Sequence, residues 1–429
     1  MRKVFTNKNR GADGLSLRLL ATVWAPFSFG YFLSYGLRNV NAVLAPELTG
    51  EFGLTAGELG FLTSLYYVAF AVVQLPAGLL LDRFGPRRVH ASLMLVAALG
   101  CALHAFGASF TQIAFGRTLI GLGLSVGLMS AVKAFSQWFP ATRVPFALNL
   151  LLACGGIGAL AAAGPVGWAL YHVSWRIIFG ICAALLVAGS SFLYFVSPDR
   201  GEAGAQDSWK QLAAGFATVF ASGTFWRLSL VMAVVSGTYS SVQSLWIGPW
   251  LRDAGGLGRD AAILMMTWFA LGTIVGFGVI GAACDRLIRR GVTPLTLYKV
   301  QSGAGIVLFG LLAASGSSFG MPLWTAYFTV GSGGALVLAT LTRRFPAQLA
   351  GRVNTANNVL MFTFSFAFQW GIGAVLDQWP VVAGRYSPSG YQAAFLVLFA
   401  IQIAAYALLV IAEKPAPARA VKPAAPMLR

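Results

Sequence analysis

Charge interrupts this chain only at long intervals. Twelve apolar runs, near 20–46, 56–80, 88–108, 112–137, 144–171, 175–197, 226–250, 260–283, 293–315, 319–342, 353–377 and 390–412, follow one another with short polar gaps. A helix of about 20 apolar residues spans the roughly 30 Å of hydrocarbon in a bilayer. Charged residues make up 10% of the 429, against about 25% in soluble domains. Such a chain cannot cover a water-facing surface, so lipid is its solvent and an all-α bundle of twelve transmembrane helices is expected. The runs are rich in Gly and Ala, which favours closely packed helices. The first run is too long for a signal-peptide core and is expected to remain as the first membrane helix.

The net charge of +17 needs a reading other than nucleic acid, whose binders cluster Lys and Arg on one folded face. Here the basic residues sit in the gaps. With the N-terminus inside, 21 of the 30 Lys and Arg residues fall on inside segments and four, Arg176, Arg252, Arg259 and Arg385, fall outside. The positive-inside rule then puts both termini in the cytoplasm, as a multi-pass protein of a bacterial inner membrane. Trp250 and Trp379, near outer helix ends, read as interface anchors. Cys101, Cys154, Cys182 and Cys284 match no metal motif and no disulfide framework; they read as small packing residues. No phosphate-binding loop and no enzyme constellation is found, and no cofactor is implied.

The chain halves. Its longest polar connection runs from Ser197 to Lys210. Gly78 and Asp82 recur 203 residues on as Gly281 and Asp285; Phe139-Pro140 recurs as Phe345-Pro346, Gly167 and Leu170 as Gly373 and Leu376, Gly121 and Gly123 as Gly331 and Gly333. Ordered matches at nearly constant offset argue for a duplicated six-helix unit, as in secondary transporters with substrate held between the halves. The expected organisation is a cytoplasmic tail (1–19), a six-helix bundle (20–197), a cytoplasmic linker (198–225), a second six-helix bundle (226–412) and a Pro- and Ala-rich tail (413–429), expected to be disordered.

Gly78 to Arg87, "GLLLDRFGPR", resembles the signature loop of the major facilitator superfamily: Gly, any residue, Leu or Ala, Ser or Ala, Asp, a basic residue, any residue, Gly, two basic residues. Gly78, Leu80, Asp82, Arg83, Gly85 and Arg87 fit; Leu81 and Pro86 depart. "GRTLIGLGLSVG" at Gly116 resembles the family's fourth-helix motif, with Arg117 as its arginine, and "GPVG" at Gly164 resembles part of the fifth-helix motif. The resemblance covers nearly the whole chain and implies the twelve-helix fold of that family, with the first and fourth helices lining the cavity.

Asp82 reads as a gate. A carboxylate there can pair with nearby arginines and with the positive N-terminus of a neighbouring helix; Gly78 allows close approach and Gly85 the tight turn. Arg83, Arg87 and Arg117 join this set, with Asp285 and Arg286 in the second, weaker loop. The alternative is a topology anchor. For the substrate, Arg38 and Lys133 lie inside spans and are expected to face a wet cavity, because an unpaired cation in hydrocarbon is costly. Tyr31, Tyr35 and Arg38 share one helical face. Tyr67 and Gln74 share another, as do Tyr239, Gln243 and Trp246; Asn149 and Asn357 add amides. The alternatives are snorkelling for Lys133, carbonyl pairing for Arg38 and interhelical hydrogen bonds for the amides. His104 reads as structural.

None of the thirteen acids lies mid-span. A positive interior favours an organic anion, gripped bidentately by Arg. The expected function is secondary transport of a small organic anion by exchange or ion-coupled symport, with a proton or counter-anion as coupling ion and a monomer in the bilayer. The alternatives are an exporter of an amphipathic drug-like compound or siderophore, and a receptor or assembly factor on a transporter scaffold.

Overall fold

The computed structural model describes residues 16–199, 209–315, 320–331, 340–342 and 344–411. Among the described residues there is no β-strand, only an isolated bridge between Val382 and Arg385. A helical turn, Leu17–Leu19, precedes the first apolar run, which opens with a π-helical turn, Leu20–Trp24. It continues as α1 (Ala25–Asn39) and, past Val40, as α2 (Asn41–Phe52). There follow α3 (Ala56–Phe84), α4 (Pro86–Phe106), α5 (Phe110–Trp138), α6 (Val144–Ala169) and α7 (Trp175–Val196). A shorter helix, α8 (Trp209–Phe220), stands inside the stretch expected as a linker. After it come α9 (Gly223–Asp253), α10 (Arg259–Arg289), α11 (Pro294–Ser315), α12 (Gly320–Val330), α13 (Ala350–Leu376) and α14 (Pro388–Ile411).

Ten of these helices are long and apolar enough to cross a membrane, and each falls on one of the expected runs. The first run is divided into α1 and α2, and much of the run at 319–342 lies outside the described residues, as does nearly all of both tails.

Local chemistry sets the boundaries. Thr55 and Glu58 form a reciprocal capping box at the start of α3, satisfying amides the helix cannot pair itself. Ser109, Ser174 and Ser222 cap α5, α7 and α9 with their hydroxyls. Gly85 ends α3 at φ 79°, a conformation that strains residues with a Cβ, and Pro86 then opens α4 at a position where no amide is needed.

In the first half, α4 packs on α5 and α7, and α1 on α6; in the second, α9 packs on α13 and α11 on α14. The halves meet along α3 against α13 and α6 against α10, and also where α2 packs on the last turns of α9. Lipid supplies no hydrophobic drive between helices, so close backbone approach must hold them. At the α4–α5 crossing a Cβ on Gly100 would lie 2.7 Å from the carbonyl oxygen of Gly116, and one on Gly116 2.8 Å from that of Gly100. At the α1–α6 crossing a Cβ on Gly158 would run into the carbonyl oxygen of Phe32. One expected anchor is corrected: Trp250 is 3% exposed and packs edge-on against Trp324 at 5.2 Å, so it belongs to the core of the second half.

Gly158→Ala is expected to force α1 and α6 apart. Overpacking of this kind costs about 1–3 kcal/mol, so the purified variant should melt several degrees lower, whereas Gly180→Ala, with open space around its Cβ, should melt with the parent.

Candidate functional site

The last turn of α1 carries Arg38 into a cage of rings. The Tyr31 and Tyr35 rings lie 4.9 Å apart, tilted by 53°, and the Arg38 guanidinium lies 4.6 Å from the centre of the Tyr35 ring. From α3 come Tyr66 at 5.7 Å and Phe70 at 5.3 Å. From α13, across the seam, comes Phe362 at 5.6 Å. Among the described residues no carboxylate pairs with Arg38, and its Nε is buried with no hydrogen-bond partner. A desolvated cation–π contact contributes up to about 2 kcal/mol. The rings therefore offset part of the charge's burial cost and leave its N–H donors unused.

Arg117 of α5 stands behind this cage rather than in the Asp82 loop. It is 1% exposed, donates to the carbonyl oxygens of Leu37 at 2.8 Å and Arg38 at 3.4 Å, and lies 5.0 Å from the Tyr66 ring. It holds the backbone that carries Arg38. Tyr67 stacks on Phe362 at 6.1 Å and donates to Ser244 Oγ at 3.0 Å, tying α3 to α9.

The other expected lining residues are dispersed. The Gln74 amide donates to the Ser125 carbonyl oxygen at 3.0 Å within the first half. The Asn357 amide meets Met232 Sδ at 3.3 Å. Asn149 is exposed near the start of α6. Tyr239 and Gln243 share a face, but Trp246 leaves it, because Val242–Trp246 is a π-helical turn and the wider turn breaks the 3.6-residue register. Gln243 Nε2 reaches Tyr239 Oη at 3.2 Å and Thr273 Oγ1 at 3.3 Å, while Trp246 Nε1 donates to the Gln369 carbonyl oxygen at 2.8 Å. Interhelical bonding, the alternative reading, is the geometry observed for these amides.

Sequence reasoning missed Tyr66, Phe70 and Phe362. Tyr66 and Phe70 had a signal, being one helical turn apart. Phe362 had none, since α13 carries a Phe at every second position from 362 to 368. It also missed His90, fully buried, whose Nδ1 pairs with Ser130 Oγ at 2.9 Å. His104 Nδ1 meets the Ile113 carbonyl oxygen at 2.9 Å and packs on Trp175 and Phe179.

The Asp82 loop differs from expectation in its partners. Lys133 Nζ donates to Asp82 Oδ1 at 2.7 Å and to the Leu81 carbonyl oxygen at 2.8 Å. It meets the gate acid of its own half rather than the Arg38 cage, because its long stem from α5 reaches the end of α3. Asp82 is 58% exposed and bonds to nothing in the second half among the described residues. Arg83 lies over Phe84 at 5.3 Å. Arg87 and Arg88 both pair with Asp199, at 3.0 and 3.1 Å, which fastens the start of α4 to the segment after α7. A Cβ on Gly78 would meet nothing within 4 Å. Asp285 and Arg286 are exposed toward the end of α10.

At the opposite end the halves are joined by polar contacts. Asp377, just past α13, accepts from the backbone amides of Ala56 and Gly57 at 2.9 Å each. Arg259 pairs with Glu47 at 2.6 Å, and Tyr171 donates to Asp260 at 2.7 Å, which holds the Tyr171 hydroxyl above its ordinary pKa. Within the second half, Asp253 accepts from the Tyr386 amide at 3.2 Å and the Tyr391 hydroxyl at 3.1 Å. Burial and the Asp253 charge push Tyr386 up to about 12.

Membrane-length helices in two halves, with a guanidinium beside their contact that no carboxylate pairs among the described residues, form the arrangement of a membrane transport protein. Residues 27–370 match the model of the Major Facilitator Superfamily, and the chain belongs to that superfamily, whose members here are transporters rather than enzymes. It is 25% identical over 372 residues to a probable sulfoacetate transporter, SauU, of Cupriavidus necator, covering 83% of this chain and 79% of that one. It is 29% identical over 194 residues to a hexuronate transporter of Escherichia coli K12, covering 45% of this chain and 44% of that one. In fold it is similar to a bacterial homologue of the human lysosomal transporter Spinster, solved inward-facing and unoccupied. That match has a TM-score of 0.70 at 15% identity, over 94% of this chain and 100% of that one.

Because Lys133 and Asp82 form one pair, Lys133→Gln should depress transport as Asp82→Asn does, and the double variant should be no worse than either. Initial uptake rates, normalised to membrane-inserted protein, check this; an additive double variant would separate the two residues.

Proposed function

We propose that this chain carries a small organic anion across a membrane by alternating access, exchanging it for another anion or coupling it to an ion, with Arg38 as the residue that grips the substrate. The observation that carries the reading is the Arg38 guanidinium, held among four rings with no acid to neutralise it among the described residues. An uncompensated cation inside a membrane span is costly, and an anion that enters beside the half-buried Arg38 relieves that cost by accepting from its free donors. Arg117, more deeply buried, already spends two of its nitrogens on carbonyl oxygens of α1, though its Nε, like that of Arg38, has no partner among the described residues. The substrates named for the relatives, sulfoacetate and a hexuronate, are anions. The excess of Lys and Arg at the Asp82 end supports a cytoplasmic location for that end in a bacterial inner membrane, and a monomer is sufficient for this mechanism.

Counterflow in proteoliposomes, with sulfoacetate and a hexuronate as probes and no pH gradient, tests the reading. Arg38→Lys keeps the charge and loses the planar fork, so substrate should bind at least about tenfold more weakly, roughly 1.4 kcal/mol. Arg38→Ala should be nearly inactive at normal expression. Normal affinity in whichever Arg38 variants fold, or a clear preference for cations, would overturn the assignment.

A further inference from the structure

We propose that the second half holds a sodium site, in a cavity between α9, α11 and α12, and that this site takes the coupling ion.

The cavity has a volume of about 30 Å³. A water needs roughly 10–15 Å³ by the same measure, so an ion with one water fits. The polar part of the lining comes from Ser236 and Tyr239 of α9, Tyr298, Gln301 and Ser302 of α11, and Tyr327 of α12. Tyr298 and Tyr327 are 4% and 2% exposed. The hydroxyl oxygens of both, and Oε1 of Gln301, are buried with no hydrogen-bond partner among the described residues. Buried polar atoms are nearly always paired, and an unpaired one is costly. Three such atoms on residues around one cavity point to an occupant that binds oxygen.

The lining sets the class of that occupant. Gln301 Nε2 donates to the Val330 carbonyl oxygen at 2.9 Å, so the amide cannot turn over and its oxygen is kept as an acceptor. Val330 is the last residue of α12, and the C-terminal end of a helix is its negative end. Two phenol oxygens, two serine oxygens and an amide oxygen are thus on hand, all neutral. Backbone carbonyls and helix C-terminal ends hold Na⁺ in secondary transporters. An anion would meet the amide and carbonyl oxygens. Divalent cations draw on carboxylates, and no acid is among the described lining residues. A proton has no ready acceptor, since tyrosine titrates near about 10 and amides and serines do not titrate. The small volume favours Na⁺ over the larger K⁺.

Tyr239 is the wall through which this site reaches the contact between the halves. Its hydroxyl meets Thr273 Oγ1 at 2.9 Å and accepts from Gln243 Nε2 at 3.2 Å. Gln243 in turn lines a separate cavity together with Asn39 of the first half. An ion that shifts Tyr239 therefore moves Gln243 with it. Sodium and the anion sit in different places, and the sodium charge offsets what the anion carries across the membrane potential. The coupling role rests on the transport reading above; the binding of sodium does not.

The experiment is thermal unfolding of the purified protein in nanodiscs without substrate, with choline chloride replaced stepwise by NaCl at constant ionic strength and KCl as a second arm. Sodium is expected to raise the melting temperature saturably, and potassium no more than choline. Tyr327→Phe removes one hydroxyl and keeps the ring, so it should raise the sodium concentration at half the shift at least fivefold. Tyr298→Phe should do the same, and it carries the test if Tyr327→Phe fails to fold. No sodium shift, or an equal shift with potassium, would overturn the sodium site. A half-shift concentration unchanged in whichever variants fold would overturn its location. An inward sodium gradient should speed sulfoacetate or hexuronate uptake into proteoliposomes at least fivefold, and uptake indifferent to that gradient would overturn the coupling role. A saturable sodium shift, weakened in the variants, in a protein that moves neither anion would uphold the site and sink the substrate assignment.

Discussion

A guanidinium inside a bilayer has to be solvated by something, and for Arg38 no acid is at hand among the described residues. Aromatic faces from α1, α3 and α13 surround it, and they stabilise a cation without consuming its N–H donors. Much of the surrounding architecture supports that arrangement. Arg117 grips the carbonyl oxygens at Leu37 and Arg38 and so sets where α1 ends. Glycine contacts at the α1–α6 crossing bring the backbones close enough for Tyr31 and Tyr35 to line up beneath the charge. One member of the cage, Phe362, belongs to the other half, so the relation between the halves and the surroundings of Arg38 change together.

The two ends of α3 are fastened differently. In this state the helix is joined to the second half at its Ala56 end, while Asp82 at the other end is shared only with Lys133. Fastenings inside each half are of a different kind: Arg87 and Arg88 on Asp199, and Arg176 on Glu51, join helices that are near one another in sequence or in the same bundle. On the proposed alternating access, such bonds hold each half together while the contacts between the halves change.

The fold was largely legible because lipid imposes one rule, length and apolarity, and ten helices fall where the runs predict them. Arg38 was legible for the same reason, as a charge out of place. What escaped the sequence was pairing at long range and local changes of helical register. The partnership of Lys133 with Asp82 spans 51 residues and leaves no trace in composition. The π-helical turn at Val242–Trp246 costs no unusual residue, yet it sends Gln243 and Trp246 to different neighbours. Asp377 looked like an ordinary end-of-helix acid until α3 was placed beside it, and Trp250 looked like an interface anchor until Trp324 covered it.

The central claim is that the protein recognises negative charge. Its most direct test is a thermal-shift measurement on the purified protein with small solutes matched in skeleton and differing only in charge: an acid, the neutral parent and the amine, as in galacturonate, galactose and galactosamine, with sulfoacetate set against taurine and ethanolamine. A ligand that binds the folded state raises its apparent stability, by about 2.7 kcal/mol at a hundred times Kd. The account predicts stabilisation by anions alone, lost in Arg38→Ala. Stabilisation by an amine or a neutral sugar as great as that by any anion would contradict it.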